Sequence, residues 1–149
     1  MSIVLLSIKP KFAEEILSGN KRFELRAGSG IPSGARVILY VSSPVKAIIG
    51  EFTAGRVFTG SYEYVVKVVS GTPCSGVSEE DYGYIRGRKR RVMAIEVLNP
   101  MRYCKYVSLG ELRLVGLKSP PRSYQFLHLE NPVHMAVLEL VDRARECRL

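Results

Sequence analysis

Short runs of β-branched and aromatic residues recur along this chain, separated by turn residues and by brief helical patterns. The first run, residues 3–8, is apolar on both faces, which predicts a central strand. Further runs that predict strands cover residues 23–26, 36–42, 46–52 and 92–98. Because the strands and the helices between them are all short, the pattern predicts an α+β fold, a compact mixed β-barrel with short flanking helices.

The helical patterns are brief but have recognisable ends. A helix that ends at Gly19 is predicted by an apolar stripe of Ala13, Ile16 and Leu17. A capping box at Ser78 opens another helix, and the final helix begins after Asn131. Residues 62–69 are ambiguous, because their Val and Tyr content favours a strand while their spacing, with Ser61 as N-cap, favours a helix.

The length and the apolar segments indicate a small protein without a membrane anchor. At 149 residues the chain has the size of one domain, residues 1–149. It has no run of 18 apolar residues, and its first six residues lack the basic region of a signal peptide. We therefore expect no membrane span and a cytoplasmic location.

The cysteines and histidines do not have the spacing of a metal site. Cys74, Cys104 and Cys147 are odd in number, widely spaced and without a C-x-x-C pair, which disfavours both a disulfide framework and a zinc site. His128 and His134 are six residues apart and do not match a helical ligand pair. We expect no bound metal and no cofactor.

The chain is strongly basic. Its net charge of +8 comes from 22 Lys and Arg against 14 Asp and Glu, and Arg outnumbers Lys. Nucleic acid is the commonest polyanionic partner of a basic domain, and Arg suits planar contacts with phosphates and bases. A bias toward Arg in a heat-adapted organism is the alternative explanation.

Charges of both signs are concentrated between Gly19 and Arg26. Alternation along a strand places Glu24 and Arg26 on one face, where they can pair, and Lys21 lies at the strand entrance. From the residue types alone, the three side chains either line a cleft or form an ion-pair network that holds the helix against the barrel.

The order of these residues resembles a known family. The pattern Gly-x-Lys-x-x-Glu-x-Arg from Gly19 to Arg26, preceded by Ser7-Ile8-Lys9-Pro10, is similar to the signature of the ASCH superfamily, a branch of the PUA-like β-barrels. The similarity continues through residues 39–52, 78–82, 87–97 and 120–127. In the last of these, Arg122 stands where the family has Gln and Tyr124 where it has Phe.

The resemblance implies a PUA-like β-barrel with a charged cleft that binds RNA or a nucleotide-like ligand. The cleft residues that it implies are Lys9, Lys21, Glu24, Arg26, Glu51, Ser123 and Tyr124. Glu51 lies in an otherwise apolar strand and needs a cationic partner such as Lys21 or Arg26, unless it is an exposed charge on an edge strand. Tyr124 either presents its ring to a base or packs in the core.

A dense basic cluster follows the third predicted helix. It consists of Arg86, Arg88, Lys89, Arg90 and Arg91, and it either follows a phosphate backbone or keeps the protein soluble. Tyr82 and Tyr84 precede it and either stack on unpaired bases or pack against the helix.

Three functions remain open. The first is RNA or nucleotide binding in RNA metabolism or in the regulation of translation or transcription. The second is hydrolysis of a modified nucleoside such as acetylated cytidine, an activity of a bacterial ASCH branch, with Lys21, Glu24 and Glu51 as catalytic candidates. The hydroxyl nucleophile of that branch is missing, because Glu24 occupies its position. The third is a protein-interaction coregulator, which an exposed apolar patch would distinguish from a basic cleft.

Overall fold

A computed structural model describes residues 1–147, in which six strands form one curled, half-barrel sheet. The strand order is β2-β5-β4-β3-β1-β6, so β2 and β6 are the edge strands. β1 pairs in parallel with β3, and the other pairs are antiparallel. The strands are β1 (Ile3–Ile8), β2 (Phe23–Ala27), β3 (Arg36–Val41), β4 (Ala47–Gly60), β5 (Val92–Ser108) and β6 (Tyr124–Phe126).

Five short helices flank the sheet. They are α1 (Pro10–Leu17), α2 (Tyr62–Ser70), α3 (Glu79–Gly83), α4 (Leu109–Leu114) and α5 (Pro132–Glu146). The predicted α+β class and half-closed barrel are therefore confirmed.

The two faces of the sheet bury separate apolar clusters. Residues that alternate along β3 divide between them: Val37 and Leu39 face the cluster that covers α1, while Ile38 and Tyr40 face the cluster under α5. A third cluster forms where α2 packs on β2 and the sheet edge, around Phe23 and Val65. The third cluster thus fixes the start of β2 against α2.

Several element boundaries differ from the sequence prediction. Residues 62–69 are helical, because the Ser61 side chain accepts a hydrogen bond from the backbone N–H of Tyr64 at 3.2 Å and caps α2. The predicted strand ends at residue 98, but β5 continues through Asn99 and Pro100 to Ser108. Asn99 has a positive φ of 49° at this point of the strand. The sequence prediction also missed α4 and the three-residue β6.

The structure places Cys104 of β5 and Cys147 after α5 in a disulfide, with 5.7 Å between their Cα atoms. This pair corrects the expectation from the cysteine count and spacing, which disfavoured a disulfide framework. The two residues are 43 positions apart, and the packing of α5 on β5 brings them together. In the described residues no helix is long and apolar enough to cross a membrane.

Candidate functional site

The turn between α1 and β2 carries the charged motif. Gly19 has a positive φ of 84°, which suits glycine at the end of α1. Gly76 lies directly against this turn, and a Cβ there would collide with the backbone oxygen of Asn20. Beside it, the N–H of Arg22 donates to the carbonyl of Ser75 at 2.8 Å. The close contact brings the segment that leads into α3 onto the motif.

Lys21 is buried inside a carboxylate pair. Its side chain is 2 % exposed, and its Nζ lies 2.9 Å from Glu24 Oε1 and 2.6 Å from Asp81 Oδ1. The same Nζ lies over the Phe12 ring, 4.5 Å from the centroid. Burial alone would lower the pKa of Lys21, but the two carboxylates outweigh it and raise the pKa above its ordinary value. Lys21 is therefore held as an ammonium ion.

Glu24 and Arg26 form the ion pair that strand alternation predicts. Arg26 Nε donates to Glu24 Oε2 at 2.7 Å, so the two Glu24 oxygens are shared between Arg26 and Lys21. Burial would raise the pKa of Glu24, but Arg26 and then Lys21 more than reverse this, and the pKa is lowered. Glu24 is thus a permanent carboxylate near neutral pH.

Arg26 also joins the two edges of the half-barrel. Its Nη2 donates to the carbonyl of Ser7 at 2.5 Å, and its Nη1 lies 3.3 Å from Ser123 Oγ and 3.4 Å from the Ser123 carbonyl. Nearby, Tyr124 donates its hydroxyl to the carbonyl of Ser29 at 2.9 Å. Arg26 of β2 thus contacts β1 and the residue that precedes β6 across the opening of the sheet.

A pocket of about 510 Å³ lies at this opening. Ile8 and Phe12 give it an apolar part, and its carboxylates are Glu24 and Asp81. Its five basic lining side chains exceed these carboxylates by three and are Lys9, Lys21, Arg26, Arg88 and Arg122. Excess positive charge in a walled pocket concentrates the electrostatic potential there and favours an anionic ligand.

The basic side chains of the pocket fall into two groups. Lys21 and Arg26 are buried and paired with carboxylates. Lys9, Arg88 and Arg122, at the rim, have no carboxylate within 4.0 Å among residues 1–147. The rim therefore supplies the cations that are available to a ligand.

An aromatic ring stands beside these rim cations. Tyr84 is 41 % exposed, Lys9 Nζ lies 5.0 Å from its ring centroid, and Phe12 contacts it edge to face at 5.4 Å. Arg88 Nε lies 3.4 Å from the Tyr84 carbonyl. A half-exposed aromatic residue thus stands beside two cations that have no carboxylate partner, and Lys9 lies over its ring. Aromatic and cationic side chains grouped in this way suit contact with a base and its phosphate.

The pocket shares lining residues with the first of two further depressions along the basic loop, residues 86–91. The first adjoins the pocket at Ser123 and is lined by Gly28 and Tyr124 as well as by Arg88, Lys89 and Arg90. The second extends along the same loop to Ser61 and Tyr62 at the start of α2. We call the pocket and these two depressions together the groove.

Arg86 does not follow its neighbours into the groove. It forms an ion pair with Glu79, and its Nε lies 3.3 Å from the Tyr62 hydroxyl. Of the five basic residues in the loop, Arg88, Lys89 and Arg90 line two depressions each and Arg91 lines one. Arg86 therefore lines neither the pocket nor the two depressions, and its contact with a ligand stays a prediction.

Glu51 lies on the other face of the sheet, which corrects its prediction as a cleft residue. It is 6 % exposed, so it is not an exposed edge-strand charge either. Its Oε1 accepts from Arg36 Nη2 at 2.8 Å and from the Tyr103 hydroxyl at 2.7 Å. Glu51 pairs with Ile38 in the β3–β4 register, and both face α5. Arg36 and Ile38 are two positions apart in β3, so their side chains lie on the same face of the sheet. Because Ile38 pairs with Glu51, this spacing brings Arg36 next to Glu51.

Asp81, Arg122 and Phe12 line the pocket but had no assigned role there in the sequence analysis. Asp81 belongs to the capping box that opens at Ser78, Arg122 was noted as a departure from the family pattern, and Phe12 was not singled out. The capping box itself was correct, since Asp81 Oδ2 accepts from the Ser78 backbone N–H at 2.8 Å. Its second oxygen reaches Lys21 through the tertiary fold, which local sequence does not reveal.

Among residues 1–147 there is no group of three or more His, Cys, Asp or Glu side chains arranged to hold a metal ion. His128 and His134 do contact each other, with ring centroids 5.8 Å apart, at the start of α5 and outside the groove.

No protein-family model matches the sequence, and no curated protein matches it either. Solved structures do match the fold. The ASCH protein from Zymomonas mobilis has a TM-score of 0.75 at 23 % identity, over 93 % of this chain and 94 % of that one. A single-residue variant of that protein has a TM-score of 0.77 at 23 % identity, over 95 % and 98 %.

A more distant match is the human THYN1 protein, solved in complex with DNA that contains 5-methylcytosine. It has a TM-score of 0.55 at 13 % identity, over 93 % of this chain and 98 % of that one. The half-barrel with its pocket at the open edge is therefore a PUA-like fold. Within that class the protein has the fold of an ASCH domain, as the motif from Gly19 to Arg26 predicted.

Proposed function

We propose that the protein binds single-stranded nucleic acid, RNA in the first place, along the groove. The observation that carries this proposal is the continuity of the pocket with the basic loop: Arg88, Lys89 and Arg90 line both depressions, and Arg88 also lines the pocket. A backbone that carries one negative charge per phosphate matches a row of cations better than a small neutral ligand does. The DNA bound to the human THYN1 protein supports nucleic acid as the class of ligand.

The pocket has the size and the chemistry for one unpaired nucleotide. Its volume of about 510 Å³ lies in the range of small-molecule sites. The Tyr84 ring and Phe12 offer stacking and apolar contact to a base, while Lys9 and Arg122 face its sugar and phosphate. A base inside a duplex cannot enter such a pocket, so the proposal specifies a single strand. Binding of this kind suits cytoplasmic RNA metabolism or the regulation of translation or transcription.

The test is a titration of the protein with a fluorescein-labelled single-stranded RNA at several salt concentrations. The variant replaces Arg88, Lys89 and Arg90 by Ala. Each cation that neutralises a phosphate contributes roughly 0.7 to the slope of log affinity against log salt for a single strand. We therefore expect the triple variant to reduce the magnitude of the slope by roughly two units.

The matched control removes three positive charges elsewhere, by replacing Lys105, Lys118 and Arg143 by Ala. These residues belong to the second half of β5, the loop after α4, and α5, away from the groove. We expect their loss to leave the slope close to that of the wild type. Equal slopes for both triple variants would contradict the proposal and assign the basic loop to solubility. Parallel titrations with DNA and with duplex RNA test the preference for a single RNA strand.

Hydrolysis of a modified nucleoside is the weaker proposal. Of its three candidate catalytic residues, Lys21 and Glu24 meet, while Glu51 lies on the opposite face of the sheet. A general acid or base works best with a pKa near the operating pH. The pKa of Lys21 is raised and that of Glu24 is lowered, so both move away from neutrality.

A further inference from the structure

One wall of the pocket is formed by a single short segment, residues 78–88, which we call the α3 wall. It contributes Asp81, Tyr84 and Arg88 to the pocket lining. Tyr84 and Arg88 are the aromatic ring and one of the unpaired cations that the proposed function requires. Their position relative to Lys9 therefore determines whether the pocket has the right shape for a nucleotide.

Asp81 connects this wall to the motif. Its Oδ1 lies 2.6 Å from Lys21 Nζ, and both side chains are 2 % exposed. Its Oδ2 accepts hydrogen bonds from the Ser78 backbone N–H at 2.8 Å and from Ser78 Oγ at 3.0 Å. One carboxylate thus caps α3 and fixes it to the ammonium group of Lys21.

The other polar links of the wall are on the surface. Lys11 pairs with Glu80 of the wall, with side-chain exposures of 63 % and 51 %, and Arg86 Nε lies 3.3 Å from the Tyr62 hydroxyl of α2. Exposed contacts of this kind contribute little. Ile85 is fully buried and fixes the far side of the wall to the cluster around Phe23. On the side that faces the pocket, Tyr84 contacts Phe12 and Lys9, and Asp81 supplies the buried ion pair.

We infer that Lys21 and Asp81 are positioning residues that hold the α3 wall in place and that neither contacts the ligand. Lys21 is 2 % exposed, and its Nζ is already directed at Glu24 and Asp81 and lies over the Phe12 ring, so its donors are engaged within the protein. The ligand contacts come instead from the rim, through Lys9, Tyr84, Arg88 and Arg122. The part of this inference that concerns ligand affinity rests on the proposed function.

The first experiment needs no ligand. In the variant Asp81→Asn, the amide can still cap α3, but the charge that faces Lys21 is lost. We expect backbone amides in residues 79–88 to exchange with deuterium about tenfold faster than in the wild type, which corresponds to the loss of a modest interaction energy. Exchange in β3 and β4 should be unchanged. Asp81→Glu keeps the carboxylate at a position where Glu also caps well, and should restore most of the protection.

The second experiment uses the labelled single-stranded RNA and two arginines of the rim. Arg88 belongs to the α3 wall, whereas Arg122 precedes β6. If Asp81→Asn displaces the wall, Arg88→Gln should cost little further affinity in that background, although it costs about tenfold in the wild type. Arg122→Gln should cost the same factor in both backgrounds, because additivity holds for residues that do not share a support.

The outcomes separate the two proposals. Faster exchange in residues 79–88 together with no RNA binding by the wild type supports the positioning role and contradicts the proposed function. Unchanged exchange in Asp81→Asn overturns the inference, as does equal additivity with Arg88→Gln and Arg122→Gln. If Asp81→Asn does not fold, the double variant Lys21→Met with Asp81→Asn removes both charges while Glu24 keeps Arg26, and the same exchange result is expected of it.

Discussion

At the scale of single residues, Lys21, Glu24 and Arg26 of the motif form ion pairs inside the protein. Arg26 directs Nε at Glu24, Nη1 at Ser123 and Nη2 at Ser7. A buried charge is tolerated when its partners satisfy it, and removing one partner leaves the others uncompensated. The paired side chains of the motif therefore form part of the pocket wall. The rim cations, which have no carboxylate partner among residues 1–147, remain available to bind a ligand.

Arg26→Ala tests this structural role. The Arg26 side chain is 14 % exposed and its Glu24 partner 5 %. We expect a loss of about 3 kcal/mol in the free energy of unfolding, because a buried ion pair loses one member. Denaturant unfolding measures the loss, and a double-mutant cycle with Glu24→Gln measures the coupling of the two side chains.

Arg56→Ala is the matched control. Arg56 also pairs with a glutamate, Glu96, at 3.0 Å, but its side chain is 67 % exposed. The Glu96 side chain is only 12 % exposed, but the backbone N–H of Arg56, which alanine retains, still donates to it at 3.0 Å. Because the lost guanidinium is in solvent, we expect a loss of about 1 kcal/mol. Equal losses for Arg26→Ala and Arg56→Ala, or a negligible coupling between Glu24 and Arg26, would show that burial does not increase the contribution of the motif pair to the free energy of unfolding.

A second prediction at this scale concerns catalysis. Lys21 and Glu24 are both held in their charged forms, so we expect wild-type protein to leave acetylated cytidine unchanged at neutral pH. Chromatography of an incubation with acetylated cytidine and other modified nucleosides provides the measurement. Turnover that Lys21→Ala abolishes, with ligand affinity retained within a few fold, would establish the hydrolase instead.

At the scale of elements, the start of α5 contains a pH-sensitive contact. His134 Nδ1 accepts a hydrogen bond from the His128 backbone N–H at 2.9 Å, and this nitrogen cannot accept once it is protonated. Burial, and then the charge of His128, lower the pKa of His134 below its ordinary value of about 6.5. The unfolded chain then binds the proton more readily than the folded one.

Stability should therefore fall as the pH drops below about 6.5 and level off below the folded-state pKa of His134. Denaturant unfolding between pH 8 and pH 5 measures this dependence. In His134→Gln the decline over this range should be smaller, whereas His128→Gln should keep most of it because the backbone N–H of that residue is retained. Identical pH profiles for the wild type and His134→Gln would contradict the role assigned to this contact.

The elements that the sequence predicts well are those whose signals are local. The apolar run of β1, the Ser61 cap of α2 and the capping box of α3 depend on residues within a few positions of each other. β6 is different, because its three residues become a strand only by pairing with β1 more than a hundred positions earlier. The passage of β5 through Asn99 likewise depends on its long pairing with β4.

The same distinction applies to the candidate site. Strand alternation predicted that Glu24 and Arg26 share a face, and they pair. The partner of Lys21 on the α3 wall was missed, since Asp81 is 60 positions away and its local role as a cap is already complete. Glu51 was misplaced because its face of the sheet depends on the register of β4, which shifts between Leu39 and Tyr40 of the partner strand.

At the scale of the whole molecule, the two faces of the sheet carry two separate buried charge networks. The network around Lys21 borders the groove. On the other face, Glu51 joins Arg36 and Tyr103 under α5, and Arg36 also pairs with Asp142 of that helix at 2.9 Å. Burial is the main cause that raises the pKa of Tyr103, and the Glu51 carboxylate raises it further. The phenol therefore keeps its proton and donates a hydrogen bond to Glu51.

The separation of the two networks gives a prediction about the whole molecule. Tyr103→Phe keeps the volume of a side chain that is 2 % exposed but removes its hydrogen bond to Glu51. We expect a loss of about 2 kcal/mol in the free energy of unfolding, because the lost bond has a charged acceptor. Affinity for single-stranded RNA should remain within about twofold, since the change lies on the face opposite the groove.

Arg88→Gln should behave in the reverse manner. Arg88 is exposed, so its replacement should alter the free energy of unfolding by less than about 0.5 kcal/mol. RNA affinity should fall about tenfold at low salt, because one unpaired cation of the groove is lost. Unfolding and binding measured on the same two variants give four results. A large loss of affinity in Tyr103→Phe would contradict the assignment of the binding site to the groove, because Tyr103 lies on the opposite face of the sheet.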